Sequence, residues 1–456
     1  MNLRRIVKGV QCFFTGLPGE FDRNQRFFIG EGLAANSYAT LTGGVFLTGL
    51  ALYMGASDTV AGFLTAAPLI ASVAQVFLVL IWNWVKNPKK AVMFCTYVSR
   101  CLVVSMILIP FVVPKGIEIY VPILGSVSLQ IAILFLIQLV ANLFMSAVSV
   151  RFNLWLMDML PITRRGRFLS VRDRVTITSG TILSLASSWI LDGCKAVDRE
   201  LIGYCIIIGM AAFFVAQSYY FVSNIDYYDR EDCTKKHSII TIFTEPLKNR
   251  QFIPVLLYFV LWNLAVYMTN SYVNVYLLSD LKISYTAIML CTLLASSLQI
   301  ISGGAWGKYT NRFTWKNMTL ITGAVVAVTH IIWGFVSTPT ILMMPLIYII
   351  SGLNAQGLNI ATANLPLVYM QEGRGTVYLG FMNAANCLAG VLGTSVGAWM
   401  ITGIGDFTIR LGTFVIGAKQ LVFLTAGCIL FLNIFIAYFL IQKRPRIGEQ
   451  MPADCR

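Results

Sequence analysis

Charge is what this chain has least of. Asp, Glu, Lys and Arg together make 12% of its 456 residues, about half the roughly 25% of an ordinary soluble domain. The shortage runs over the whole length, while 57% of residues are hydrophobic and mean hydropathy is +0.73. A water-soluble globule is excluded, and a chain of membrane spans, roughly 20 apolar residues each, takes its place. Histidine is scarcer still, with only His237 and His330. A catalytic zinc centre or a Ser-His-Asp triad has almost nothing to draw on. The 10 cysteines form no CxxC pair or other metal-ligand spacing. Most fall inside apolar runs and read as small buried thiols. No GxxxxGK[ST] loop is present, which argues against direct ATP drive. No metal and no cofactor is expected. No cluster of nucleophiles and acids sits at depth, so a membrane-embedded enzyme or a non-transporting scaffold is the remote alternative.

The charge that remains is uneven in sign: 34 Lys and Arg against 20 Asp and Glu, a net +14. Its placement points to a bilayer rather than to nucleic acid. Clusters at Arg4 to Arg26, Lys86 to Lys90, Arg164 to Arg174, Arg230 to Arg250, Lys308 to Lys316, Arg374 and Lys443 to Arg446 fall at alternate ends of the apolar runs. The connections between them are nearly bare, with Asp58 in one, Lys115 and Glu118 in the next, Asp280 and Lys282 in another. The positive-inside rule then puts both termini and the central bridge in the cytoplasm, with an even number of spans. A multi-pass cell-membrane protein follows, and the short loops suggest a bacterial inner membrane. The basic start lacks a small-residue cleavage site, so the first apolar segment is expected to stay in the membrane.

The spans are placed at 27–55, 58–82, 91–113, 119–152, 173–191, 201–223, 252–279, 284–306, 317–337, 340–367, 376–402 and 416–441. The fourth is longer than a bilayer needs and is expected to project into the cytoplasm. The longest charged segment between spans is the bridge SNIDYYDREDCTKKHSIITIFTEPLKNR, Ser223 to Arg250. It divides an interfacial segment and six-helix half (1–26 and 27–224) from a second half and tail (251–442 and 443–456), with 225–250 as the linker. The halves echo each other. Adding 224 takes Ser72, Gln75, Trp82 and Asn87 to Ser296, Gln299, Trp306 and Asn311. Adding 210 takes Phe168, Leu169 and Asp173 to Tyr378, Leu379 and Asn383, with Arg164 on Arg374. A parallel repeat about the membrane normal is an alternating-access arrangement.

Three loops then carry a resemblance. GGAWGKYTNRFTWK (Gly303 to Lys316) resembles the Gly-rich basic loop between spans eight and nine of the major facilitator superfamily. WNWVKNPKKA (Trp82 to Ala91) is its degenerate partner, lacking the usual Gly and Asp. PITRRGRFLSVRD (Pro161 to Asp173) is similar to the family's four-to-five loop. The resemblance implies an all-α polytopic membrane protein, twelve helices in two pseudo-symmetric six-helix bundles that rock about a cavity lined by spans one, four, seven and ten. The Gly-Pro motif that the family's drug antiporters carry in span five is missing from VTITSGTILSLASSWI (Val175 to Ile190).

Candidate site residues follow from helical phase. Asn263, Tyr267, Asn270 and Asn274 recur at i, i+4, i+7 and i+11, and Asn142, Ser146, Ser149 and Asn153 repeat that spacing. Each set lies within about 60° on its helix. Asn354 and Asn364 form a weaker stripe, and Tyr38 lies on one face with Glu31. Amides in hydrocarbon are costly unless paired. Either they line a wet cavity, with Trp262 as a flat apolar surface, or they bond helix to helix. Glu31 and Arg151 are expected to pair and couple a proton to the motion, or else to form a static ion pair. Arg100 is expected to bond backbone carbonyls, and His330 to be a packing residue. Asp158, Arg164, Arg165 and Arg167, with Lys308 and Arg312, are expected to form a cytoplasmic gate; a basic loop on anionic lipid is the alternative. Gly43, Gly44, Gly49, Gly390, Gly393 and Gly397 permit close helix approach or act as hinges. The expected activity is secondary active transport of a small polar organic solute, a sugar or glycoside first, with protons and as a monomer. The alternative is an exporter of drugs or amphipathic compounds.

Overall fold

In the computed structural model, described residues run over 21–441 apart from 79–84, 86, 115, 122–124, 161, 227–238, 310–312, 372–374, 406–407 and 412–413. Span one is α1 (Arg23–Thr42) and α2 (Gly44–Tyr53). Span two is α3 (Asp58–Phe63), a tight turn, and α4 (Ala67–Leu78). Span three is α5 (Pro88–Ser105) continued into α6 (Ile109–Val112). Spans four, five and six are α7 (Leu129–Asp158), α8 (Ile162–Ala196) and α9 (Glu200–Ser223). A bridge helix α10 (Ile239–Lys248) precedes spans seven and eight, α11 (Ile253–Val275) and α12 (Tyr285–Tyr309). Spans nine to twelve are α13 (Trp315–Gly334), α14 (Met343–Tyr369), α15 (Gly375–Ile404) and α16 (Ala418–Leu440).

Eight of these helices are long and apolar enough to cross a bilayer by themselves: spans three, four, six, seven, eight, nine, eleven and twelve. The other four fall short for local reasons. Span one is interrupted, span two leaves the described residues at position 79, span five is rich in Ser, Thr and Gly beyond its charged start, and span ten carries Asn354, Gln356, Asn359 and Asn364. The set is consistent with twelve.

Three sequence expectations are corrected. Span one is not continuous over 27–55. Gly43 is extended and Gly44 has φ +54, a left-handed conformation that glycine adopts without steric cost, so the helix stops and restarts in mid-span. Span four does not begin at 119. Residues Glu118–Val121 and Gly125–Ser128 form an antiparallel hairpin, β1 and β2, before the helix. A second short hairpin, β3 (Ile409–Leu411) and β4 (Phe414–Ile416), precedes span twelve in a body that is otherwise helical, as expected. Finally, the Arg-rich stretch before position 173 is helix rather than loop, and span five runs for 35 residues. Phe168, Val171 and Val175 are buried on one face at helical spacing while Asp173 is exposed, which explains why the helix persists.

The repeat reappears as paired contacts. Phe21 packs edge-on against Phe168 at 5.6 Å, and Phe252 against Tyr378 at 4.8 Å, at matching places in the two halves. Gln75 of span two donates to Ser149 of span four (3.1 Å), and Gln299 of span eight to Gln356 of span ten (3.4 Å). In each half an amide ties the same two helices, which satisfies polar groups where lipid offers no partner.

Small residues set the closest approaches. A Cβ on Gly393 would overlap the Leu264 carbonyl oxygen, so span eleven lies directly on the backbone of span seven. Gly393→Val is expected to destabilise the fold by about 1–3 kcal/mol through overpacking. Thermal unfolding in detergent checks it, and an unchanged midpoint would refute the close contact.

Candidate functional site

A chamber of about 680 Å³ lies inside the first half, walled by spans one to five. That volume is ample for a small organic molecule. Its polar wall is built from different helices: Asn36 and Tyr38, Ser99 and Arg100, Gln138 and Asn142. The break in span one opens onto it through Thr42, Gly43 and Gly44. Asn36 reaches across to span five, where its Nδ2 donates to the Thr176 carbonyl at 2.7 Å. The crossing is possible because residue 180 is glycine; a Cβ there would come within 2.5 Å of that nitrogen.

Behind this wall lies Glu31, the hub of an ionic cluster, with a side chain only 3% exposed. Its Oε1 accepts from Arg100 Nη2 at 3.0 Å, and Arg100, 5% exposed, also donates to Ser218 of span six. The Arg100 guanidinium lies 5.7 Å from the centre of the Tyr38 ring, a cation–π distance. From span five, Arg172 Nη2 stands 3.8 Å from Glu31 Oε2. Arg172 is packed against Gly32, where a Cβ would come within 2.7 Å of Nε. One carboxylate thus links spans one, three, five and six.

The expected Glu31–Arg151 pair is not formed; Glu31's ionic partners are Arg100 and Arg172. Span four meets this part of span one through Phe28, whose ring lies 5.5 Å from both Phe152 and Trp155, an apolar contact. Arg100 is therefore no binder of backbone carbonyls but the main partner of Glu31. Sequence spacing alone gave no signal for that, because the two lie on different helices with no shared register.

A second chamber, about 310 Å³, lies in the other half between spans seven, nine and ten. Trp262, Asn270, His330, Trp333 and Asn354 line it. These spans are the repeat counterparts of spans one, three and four. His330 Nδ1 lies 2.8 Å from the Val326 carbonyl, which can only accept, so Nδ1 holds the proton. Asn354 Nδ2 donates to Thr322 O at 2.9 Å, and its Oδ1 is buried without a hydrogen bond.

The amide stripes divide. Tyr38 and Asn142 face the first chamber, and Trp262, Asn270 and Asn354 the second. Ser146, Ser149, Asn153, Asn263, Tyr267, Asn274 and Asn364 border neither. Ser146 bonds the Ala71 carbonyl of span two at 3.1 Å, and Ser149 accepts from Gln75. Asn263 and Asn364 donate back to the carbonyl four residues earlier, each at 2.8 Å. Tyr267 packs on Gly390 of span eleven, and Asn153 is exposed. For Ser146, Ser149, Asn263 and Asn364, helix-to-helix bonding and back-bonding account for what the structure shows. Of the expected cytoplasmic gate, Lys308 is exposed, while the side chains of Asp158, Arg164, Arg165 and Arg167 and all of Arg312 lie outside the described residues.

The opposite end, away from the basic clusters, holds a closure that sequence reasoning missed. Lys419 of span twelve is buried and bonds both Asp58 of span two and Asp280 after span seven, with Ser279 Oγ at 3.2 Å. Asp192 of span five accepts from the first amides of span eight, Tyr285 N at 3.0 Å and Thr286 N at 2.8 Å, capping a helix of the other half. The hydroxyls of Tyr204 and Tyr285 meet at 2.9 Å. Gly49 and Gly62 leave room for Tyr285 and Tyr272 across the same seam. The signal was the near-bareness of these connections, which left Asp58 and Asp280 isolated.

A twofold-repeated helical membrane body with a polar chamber beside a sealed end defines a transporter, not an enzyme. Residues 27–394 match the family model described as Major Facilitator Superfamily, and the chain belongs to that family. It is similar in fold to the nucleoside transporter NupG (TM-score 0.64, 14% identity, 91% of this chain and 100% of that one). It is also similar to a D-xylose–proton symporter (0.65, 12%, 91% and 97%). A third likeness is to a bacterial homologue of the human lysosomal transporter Spinster (0.64, 12%, 92% and 98%). At such identities the likeness is one of fold alone. No curated protein sequence matches the chain.

Lys419→Ala removes the cation that joins the two halves. Asp58 and Asp280 are 37% and 41% exposed, so water screens part of the interaction. A loss near 1.4 kcal/mol, about a tenfold shift toward a state open at that end, is expected. Spin labels at the exposed Val197 and Leu342, in a cysteine-free background, should report longer distances in the variant. An unchanged distance distribution removes the latch.

Proposed function

We propose that this protein is a proton-coupled secondary transporter that carries a small polar organic solute of the sugar or glycoside class by alternating access. The single observation behind the reading is the first chamber: amides and hydroxyls from five spans surround it, and Glu31 is buried behind its wall beside two guanidiniums that line it. Asn and Gln side chains present donors and acceptors together, the pattern that hydroxyl groups need. The nucleoside transporter and the xylose–proton symporter named above carry ring-bearing, hydroxyl-rich cargo, which supports the same class.

In this reading the halves 27–224 and 251–442 rock about the chambers. The basic ends and both termini face the cytoplasm of a bacterial cell, and the sealed end faces outward. The chain then has its outer side shut. A proton on Glu31 cancels the charge that holds Arg172 of span five toward span one. Losing it again restores the tie between those helices, so proton occupancy biases the rocking. A monomer suffices, since both chambers and the latch come from one chain.

Glu31→Gln is expected to cut proton-driven uptake by about a hundredfold while leaving solute counterflow in place. Equal loss of both removes the coupling role. A thermal-shift screen against sugars, glycosides, nucleosides, amino acids and cationic drugs tests the cargo class, because a ligand of the folded state raises the transition. Stabilisation only by cationic drugs overturns it.

A further inference from the structure

We infer that the solute carries a carboxylate, an aldonic or uronic acid in class, and that Arg172 binds it in exchange with Glu31. This rests on the proposed function and narrows its cargo.

The charges do not balance. The ionisable residues that line the first chamber are Arg100, Arg172 and the Tyr38 phenol, and Glu31 stands behind them as the shared carboxylate. Two fixed cations meet one anion. Asp58, Asp192 and Glu200 are engaged at the sealed end, and Asp173 is exposed on its helix. Among the described residues the chamber therefore holds one surplus positive charge, in surroundings where an unmatched charge is expensive.

The two arginines are also held differently. Arg100 is firmly held: it donates to Glu31 and Ser218 and lies over Tyr38. Arg172 is not. Its approach to Glu31 is a loose 3.8 Å contact, its Nε is buried without a hydrogen bond, and its side chain keeps 23% exposure. Glu31 Oε2, the atom facing it, also makes no hydrogen bond. A planar guanidinium with unmade donors is a fork for a carboxylate, which it binds through two parallel hydrogen bonds. Asn36, Gln138, Asn142 and Ser99 remain for the hydroxyls of the same molecule.

Coupling follows from the exchange. Among the described residues, the charged groups facing Glu31 are Arg100 from span three and Arg172 from span five. When Arg172 turns to the solute carboxylate, Glu31 loses one of two cations, and Oε2 binds the proton that the pH gradient supplies. The empty site carries +1. The site with a bound monoanion and an added proton carries +1 again. One acid and one proton thus move together without moving net charge, whereas a neutral sugar with one proton moves one charge.

The test uses the full chain in proteoliposomes with D-glucuronate, D-gluconate and neutral D-glucose as probes. An acid is expected to be taken up under a pH gradient, at a rate changed less than about twofold by a valinomycin–potassium potential. Arg172→Gln should weaken acid binding at least tenfold, with Arg172→Lys recovering part of it. Glu31→Gln should bind the acid several-fold more tightly, because Arg172 is then uncontested; a merely structural ion pair gives the opposite sign. Weaker binding by Glu31→Gln overturns the exchange. Potential-driven uptake of glucose with both acids ignored overturns the carboxylate and leaves the sugar reading standing. No binding of any of the three overturns both. Should Arg172→Gln fail to fold, the acid-against-glucose comparison on the unaltered protein still decides.

Discussion

Glu31 sits where water does not reach, and a carboxylate in such a place survives only with partners. It finds them on spans three and five, and through Arg100 on span six. Four helices of the first half are therefore fixed relative to one another by one side chain. The chamber is the space those helices leave, and its polar wall is the set of residues that their mutual rotation turns inward. The two contacts are unequal: a bonded one to Arg100 and a loose one to Arg172. The hub is thus tied firmly to span three and loosely to span five.

The second constraint is the seam between the halves. At the sealed end Lys419 bridges an acid from each half, and Asp192 caps a helix it does not belong to. Both contacts are electrostatic and partly wet, so they can be broken at modest cost. The apolar seam beneath them uses glycines to admit tyrosines, which lets the halves touch without interlocking deeply.

The repeated architecture was largely legible. Apolar runs fix the spans because a bilayer demands about 20 apolar residues, and the alternation of basic clusters fixes which ends lie together. The repeat offsets pointed to real equivalences: Gln75 and Gln299 tie the same pair of helices in each half, and Phe168 and Tyr378 each meet an aromatic partner. Less legible was where helices break. Gly43 and Gly44 looked like packing residues, since a pair of glycines in a span reads the same whether the chain continues or stops. Span five looked shorter than it is, because a charged amphipathic start resembles a loop when only hydropathy is read.

The site was legible in kind but not in membership. Residue type and helical phase picked out stripes of amides, yet phase places residues on a common face without saying which way that face points. Tyr38 and Asn142 turned toward one chamber and Trp262, Asn270 and Asn354 toward another, while Ser149 and Asn263 spent their polarity on neighbouring helices. The sequence alone determined a duplicated, membrane-spanning, sparsely charged body, because hydrophobicity and charge order act along the chain. Tertiary structure alone decided that Glu31 meets Arg100 and Arg172, and that Lys419 meets Asp58 and Asp280. Those pairings depend on how separate helices rotate and pack, and no local pattern encodes that.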